Sequence, residues 1–258
     1  MLPREHGSWA VLIVPIALGL LAAPGARALP SALFCFGALA AFLARTPLQT
    51  LLRRPGDQKA RRWTAACALM AAAGFLPLLP AYHRTWLLAF AAAALPLLAA
   101  DTSARLRGKA RSFLNELAGV CGLCLGAPAA FYAARGELPP EAWLLWAACA
   151  AYFAGPIFHV KLLARQHREF SVASDPAALS RARRAALAYH LCALAAALVA
   201  LPEPAPLAYM AALLKTASAA RLDARRVDFR RAGYQEIAFS VLFAAVMLAA
   251  FRARPLRG

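Results

Sequence analysis

The sequence predicts an all-α polytopic membrane helix bundle of about nine transmembrane helices. Three observations carry that reading. Of 258 residues, 62% belong to the hydrophobic set and only 16% are charged, against about a quarter in a typical soluble domain. The charges are gathered into short blocks with continuous apolar runs between them. The blocks also alternate. Every second connection is strongly basic and the ones between are short and poor in positive charge, the pattern expected when positive loops stay in the cytoplasm.

The apolar runs fall at about 8–24, 29–44, 63–80, 85–100, 117–134, 142–160, 185–201, 206–220 and 237–251. Several are shorter than the ~20 residues needed to cross the hydrocarbon core, so flanking residues must complete them. In lipid the backbone has to satisfy its own hydrogen bonds, and continuous apolar runs do so as helices. The first run has some features of a signal peptide, with Arg4 ahead of it and the small-residue stretch Ala26-Arg27-Ala28 behind it. Glu5 is unusual in such a leader and a second apolar run follows almost at once. A retained first hairpin is therefore expected.

The basic connections are 45–62, 101–114, 161–184 and 220–235, and they hold most of the 29 lysines and arginines. This alternation predicts a bacterial cytoplasmic (inner) membrane protein with a cytoplasmic N-terminus. Nine spans put the C-terminus outside, where Arg252, Arg254 and Arg257 oppose the rule weakly. Lys215 interrupts the run 206–220. The connection 161–184 reads as an ordered loop or short surface helix, with Asp175 as N-cap and Pro176 at the first helical position. Nothing reads as a separate soluble domain. Glu5, Glu116 and Glu236 stand before apolar runs at intervals of 111 and 120 residues. This recurrence predicts pseudo-repeats of about four helices over 1–110 and 111–230, followed by a final helix near 235–252.

The net charge of +17 invites a nucleic-acid reading. The basic blocks lack interleaved aromatics and any recognisable binding module, and cytoplasmic loops account for the same charge. No nucleic-acid partner is expected. All six cysteines lie inside apolar runs, where a thiol packs as a small hydrophobe. Cys121 and Cys124 form the only close pair, and a structural zinc site needs four ligands. Runs of alanine and the spacing of Gly119, Gly122 and Gly126 suit close helix packing.

Ionisable groups within or beside spans are costly and point to function. They are Glu5, His6, Arg45, Asp101, Glu116, His159, Lys161, His190, Lys215 and Glu236. From them the candidate polar cavity is drawn as Glu5, His6, Arg45, Glu116, His159, Lys161, Lys215 and Glu236, facing the cytoplasm. Each has a plainer role available. The glutamates suit helix N-termini, where the dipole favours a carboxylate by about 0.3–1 kcal/mol. Arg45 and Lys161 suit snorkelling to headgroups. Lys215 is deepest in its apolar run, and a pairing with Glu116 or Glu236 is the natural way to hold its charge. No phosphate loop, nucleophile elbow or metal-binding His/Glu helix is present. No metal site and no particular cofactor follow from the sequence.

The opening Pro3-Arg4-Glu5-His6-Gly7-Ser8-Trp9-Ala10, with Pro15 and Gly19, resembles the start of the YwiC-like family of bacterial membrane proteins. Ala44-Arg45-Thr46-Pro47-Leu48-Gln49, Asn115-Glu116-Leu117-Ala118-Gly119 and Gln235-Glu236 fit the same resemblance, which extends over most of the chain. It implies a multi-pass membrane protein and assigns no reaction. The nine-span layout is also similar to the UbiA-type intramembrane prenyltransferases. Their aspartate-rich motifs would fall in 45–62 and 161–184, where only Asp57, Glu169 and Asp175 are acidic. Magnesium is held by carboxylates together with phosphates, so magnesium-dependent prenyl transfer is disfavoured. Three functions remain open at this stage. The chain binds a lipid or amphiphile in a cytoplasm-facing cavity, transports a small molecule or ion, or serves as a non-catalytic assembly factor.

Overall fold

The computed structural model describes residues 6–108, 112–171, 175–223 and 226–253, and everything regular among them is helical. The helices are α1 (His6–Ala22), α2 (Ala28–Arg53), α3 (Gln58–Phe75), α4 (Trp86–Leu106), α5 (Phe113–Cys124), α6 (Gly126–Arg135), α7 (Pro140–Ser171), α8 (Pro176–Ala200), α9 (Pro206–Ala220) and α10 (Phe229–Ala253). A 3-10 turn, Leu76–Leu78, follows α3. Six stretches are long and apolar enough to cross a membrane, with α5 and α6 counting together as Phe113–Arg135. Length and composition thus make the chain a multi-pass membrane protein.

Every apolar run became helix, but the helices overrun them. Residues 45–53 continue α2, and 161–171 continue α7 out to Ser171. The expected surface helix in 161–184 is not a separate element. Asp175 caps α8 as expected, its Oδ1 accepting from Ala178 N at 2.9 Å, and α8 runs on to Ala200. Hydropathy marks the part of a helix suited to lipid, whereas Arg and Lys have good helix propensity and carry the same helix beyond it. The run 117–134 is broken at Leu125. Pro128 has no N–H to offer the carbonyl four residues earlier, and Gly126 allows Ile16 of α1 to approach.

The chain divides into two compact units, Met1–Trp146 and Ala147–Gly258, with the boundary inside α7. In the first unit α2 and α3 form a long hairpin, α1 lies on α5 and α6, and α4 packs on α5. Leu12, Ile16, Phe34, Phe42, Leu78 and Tyr132 belong to its core, and Trp9 meets Phe42 edge to face at 5.0 Å. The α2–α3 contact requires a glycine pair. A Cβ on Gly74 would stand 2.5 Å from Gly37 N and 2.7 Å from Leu33 O. These are backbone atoms that cannot step aside. Gly74→Val is therefore expected to cost about 3 kcal/mol, the upper end for overpacking. Thermal melting of the purified variant checks this; a melting point equal to that of the parent contradicts it.

In the second unit α9 packs against α8 and α10. Three tyrosine hydroxyls tie the helices together by donating to backbone carbonyls: Tyr152 to Phe239 at 2.8 Å, Tyr189 to Ala151 at 2.7 Å and Tyr209 to Ala148 at 2.7 Å. The last carbonyls of a helix need outside donors. For α9 these are Gln166 Nε2, which donates to Ala219 O and Leu222 O at 2.8 Å, and Arg183 Nη2, which donates to Leu222 O at 2.7 Å.

Candidate functional site

Each unit assembles one buried polar cluster from its own residues. In the first, Asp101 of α4 is the centre. Its Oδ2 accepts from Arg45 Nη2 at 2.6 Å, Arg45 Nε at 3.0 Å and Arg105 Nε at 3.0 Å, with Gln49 Nε2 at 3.4 Å. Its Oδ1 accepts from Asn115 Nδ2 at 3.1 Å. Asp101 is only 7% exposed. Arg45 and Gln49 lie one turn apart on α2, Arg105 is one turn after Asp101 on α4, and Asn115 is on the first turn of α5, which Ser112 caps. Two guanidinium groups therefore meet one carboxylate.

Arg45 and Asp101 of this cluster also line a cavity of about 530 Å³. The lining includes Leu12, Phe42, Phe75, Leu87, Phe90 and Leu97, and is otherwise almost wholly aliphatic and aromatic. Among the described lining residues Arg45 and Asp101 alone carry charge. Arg45 is the last lining residue on α2 and Asp101 the last on α4, so the charge sits at the end from which α5 departs. The size falls in the range of about 300–1,000 Å³ typical of ligand pockets.

In the second unit Lys215 Nζ of α9 donates to Glu236 Oε1 of α10 at 2.6 Å and lies 4.8 Å from the Phe239 ring centroid. His159 Nε2 of α7 stands 3.8 Å from the same carboxylate oxygen. The hydroxyl of Thr216 joins two imidazoles, His159 Nδ1 at 3.2 Å and His190 Nε2 at 3.3 Å. His190 Nδ1 lies 2.8 Å from Ala186 O. Gly155 makes room for that ring, since a Cβ there would come within 2.9 Å of His190 Nε2.

Of the two carboxylates expected to hold Lys215, Glu116 or Glu236, Glu236 is the one that pairs with it. Glu236 does not take the expected helix-end role. Asp228 occupies that role, its Oδ1 accepting from Arg230 N and Arg231 N, and Glu236 sits two turns inside α10. An apolar run that begins at Ile237 does not reveal that the helix starts earlier, on the basic residues. Glu116 does lie in the first turn of α5. Lys161 is two residues beyond His159 on α7 and partly exposed. Glu5 and the side chain of His6 fall outside the described residues. Asp101 and His190 belong to the ionisable residues noted at span edges but not to the cavity drawn from the sequence. Each holds its cluster together. Gln49 and Asn115 entered only as members of the motifs that carry the family resemblance, and Thr216, a neutral residue, gave no signal of its own.

Some residues of the two units recur at similar intervals along the chain. Arg45 and His159 are separated by 114 residues, as are Asp101 and Lys215; Glu116, the neighbour of Asn115, precedes Glu236 by 120. With α5 and α6 taken as one span, His159, Lys215 and Glu236 stand four spans after Arg45, Asp101 and Glu116 respectively.

A sequence model described as YwiC-like protein matches residues 2–131. The uncharacterised protein YwiC of Bacillus subtilis (strain 168) is 27% identical over 174 residues, covering 65% of this chain and 69% of that protein. No solved structure matches the chain.

Proposed function

The chain belongs to the YwiC-like family, and from that premise we propose that its first unit binds an anionic amphiphile. The observation that carries this reading is the cavity of about 530 Å³, apolar along α1, α2, α4 and α5–α6 and charged at one end by Arg45 and Asp101. An acyl or prenyl chain suits the walls. The excess of guanidinium over carboxylate in the cluster suits an anionic head, for which the planar fork of arginine is well shaped. The bilayer supplies such ligands at high local concentration. The inner-membrane location with a cytoplasmic N-terminus belongs to the same proposal, supported by the basic connections. So does the four-helix repeat, supported by the matched intervals between the clusters. The UbiA-like layout goes with it only as an arrangement of spans around an apolar cavity.

The test separates head from tail. Gly119 lines the cavity, and a Cβ added there meets nothing within 4 Å. Gly119→Leu should therefore fill the space while leaving the protein folded. Mass spectrometry of lipids retained on the purified protein should show anionic amphiphiles reduced at least tenfold by Arg45→Met, a loss of about 1.4 kcal/mol. Gly119→Leu should reduce all amphiphiles. Unchanged retention in both folded variants rejects the reading.

A further inference from the structure

We propose that the cavity of the first unit is built for a long-chain fatty acid, a single hydrocarbon tail ending in one carboxylate. This rests on the amphiphile reading and names the class of amphiphile within it. The length of the cavity, its volume and the charge at its end lead there together. On α4 the lining runs from Leu87 to Asp101, about 21 Å at the helical rise of ~1.5 Å per residue. An extended chain advances ~1.2 Å per bond, a third of the ~3.6 Å that the three backbone bonds of one residue span. The lining therefore matches a tail of about 17 bonds. Volume gives the same answer independently. A methylene is close in size to a water molecule, whose share of liquid volume is ~30 Å³. At that share the cavity of about 530 Å³ holds about 18 carbons. One such tail fills it and leaves no room for a second.

The charged end selects the head. With Nε and Nη2 of Arg45 committed to Asp101, Nη1 is the nitrogen it offers to a ligand. Two guanidinium groups, Arg45 and Arg105, share the one Asp101 carboxylate, so this hydrogen-bonded cluster carries one positive charge in excess. A carboxylate head brings it to neutrality. A phosphomonoester carries about 1.5–2 negative charges at pH 7, and a diphosphate carries more. Either leaves unpaired negative charge beside apolar walls, where burial penalises it. A neutral alcohol leaves the excess cation as it was. Two-chain phospholipids fail on space and also on access. At this end α2 and α4 are tied together by Arg45 and Gln49 on Asp101 and by Arg53 Nη2 on Arg105 O at 2.8 Å. A second tail branching from a head held here would have to pass that tie. The single tail has a way in from the bilayer, because Leu76, Leu88 and Leu95 line the cavity and are also more than half exposed.

Native mass spectrometry of the full-length protein in detergent tests this, with pairs of probes competing at equal concentration. Palmitic and stearic acids, whose tails match the lining, should each bind as a single copy. Decanoic acid should bind at least tenfold more weakly than palmitic acid, because a short tail leaves a void that packed walls do not close. Behenic acid should bind no better than stearic acid, since its extra carbons find no wall. Octadecanol, geranylgeranyl diphosphate and phosphatidylglycerol should each fall at least tenfold below stearic acid. Arg45→Met should remove the advantage of stearic acid over octadecanol, and Gly119→Leu should weaken every tail. Length and head selectivity are read on the unsubstituted protein, so a variant that fails to fold does not decide the result. The fatty-acid assignment is overturned, with the amphiphile reading left standing, if phosphatidylglycerol or geranylgeranyl diphosphate matches stearic acid, if chain length makes no difference, or if affinity keeps rising to behenic acid. Octadecanol matching stearic acid, or binding unchanged by both folded variants, overturns the two together.

Discussion

Asp101→Leu is expected to unfold the first unit well below the melting temperature of the parent protein. Donor contacts from Arg45, Arg105, Gln49 and Asn115 converge on this carboxylate. Its removal takes the shared anion from two guanidinium groups that keep only 17% and 22% of their exposure. Removing one partner from a buried ion pair costs about 3–5 kcal/mol. The residual exposure of the arginines places the expectation near the lower end, about 3 kcal/mol. Asp101→Asn keeps the shape and loses the charge, and should recover only part of that loss. Arg45→Met should be milder than either, because Arg105, Asn115 and Gln49 still serve Asp101. This order is what allows Arg45→Met to report on ligand retention instead of folding. Thermal unfolding in one detergent, followed by helical signal, checks the series. Asp101→Leu melting with the parent would show that the cluster has no structural role.

The second large effect concerns Lys215 and Glu236, and its signature is non-additivity. Lys215→Met leaves the half-buried Glu236 carboxylate beside His159 without its ammonium partner. Glu236→Gln leaves the ammonium without its carboxylate, with only the face of Phe239 to offset it. Each single variant should lose about 3 kcal/mol. The double variant Lys215→Met/Glu236→Gln has neither uncompensated charge and should lose about 1 kcal/mol, since a buried pair replaced as a whole is often nearly neutral. A double-mutant cycle on unfolding free energies measures this directly. Additive losses would mean that the 2.6 Å contact carries no coupling.

The all-helical membrane architecture was legible because hydropathy is a property of each segment alone, and an apolar run in lipid has little choice but helix. The need of Lys215 for a carboxylate was legible for the same reason, since a cation inside an apolar helix demands a partner wherever it finds one. Helix ends were less legible. Charge-bearing stretches such as 45–53 and 161–171 read as connections between spans, though nothing in a charged side chain stops a helix. Glu236 was placed at a helix start for that reason, when Asp228 caps α10 instead.

Partnership was the least legible. Asp101 and Arg45 lie 56 residues apart, and Thr216 lies 57 residues from His159 and 26 from His190. No local pattern couples such positions. Thr216 is a neutral hydroxyl that looks like any other small residue in an alanine-rich helix, yet it stands within hydrogen-bond distance of two imidazoles.

By itself the sequence determined that this chain is a multi-helix membrane protein, which segments are apolar, and which buried charges need compensation. The tertiary structure alone decided who compensates whom and where space remains. Helix formation and hydropathy are local free energies that each segment satisfies on its own. Ion pairing, hydrogen-bond direction and cavity shape exist only when helices distant in sequence abut. Asp101 became a centre, and the cavity beside it acquired a charged end, because α2, α4 and α5 meet there.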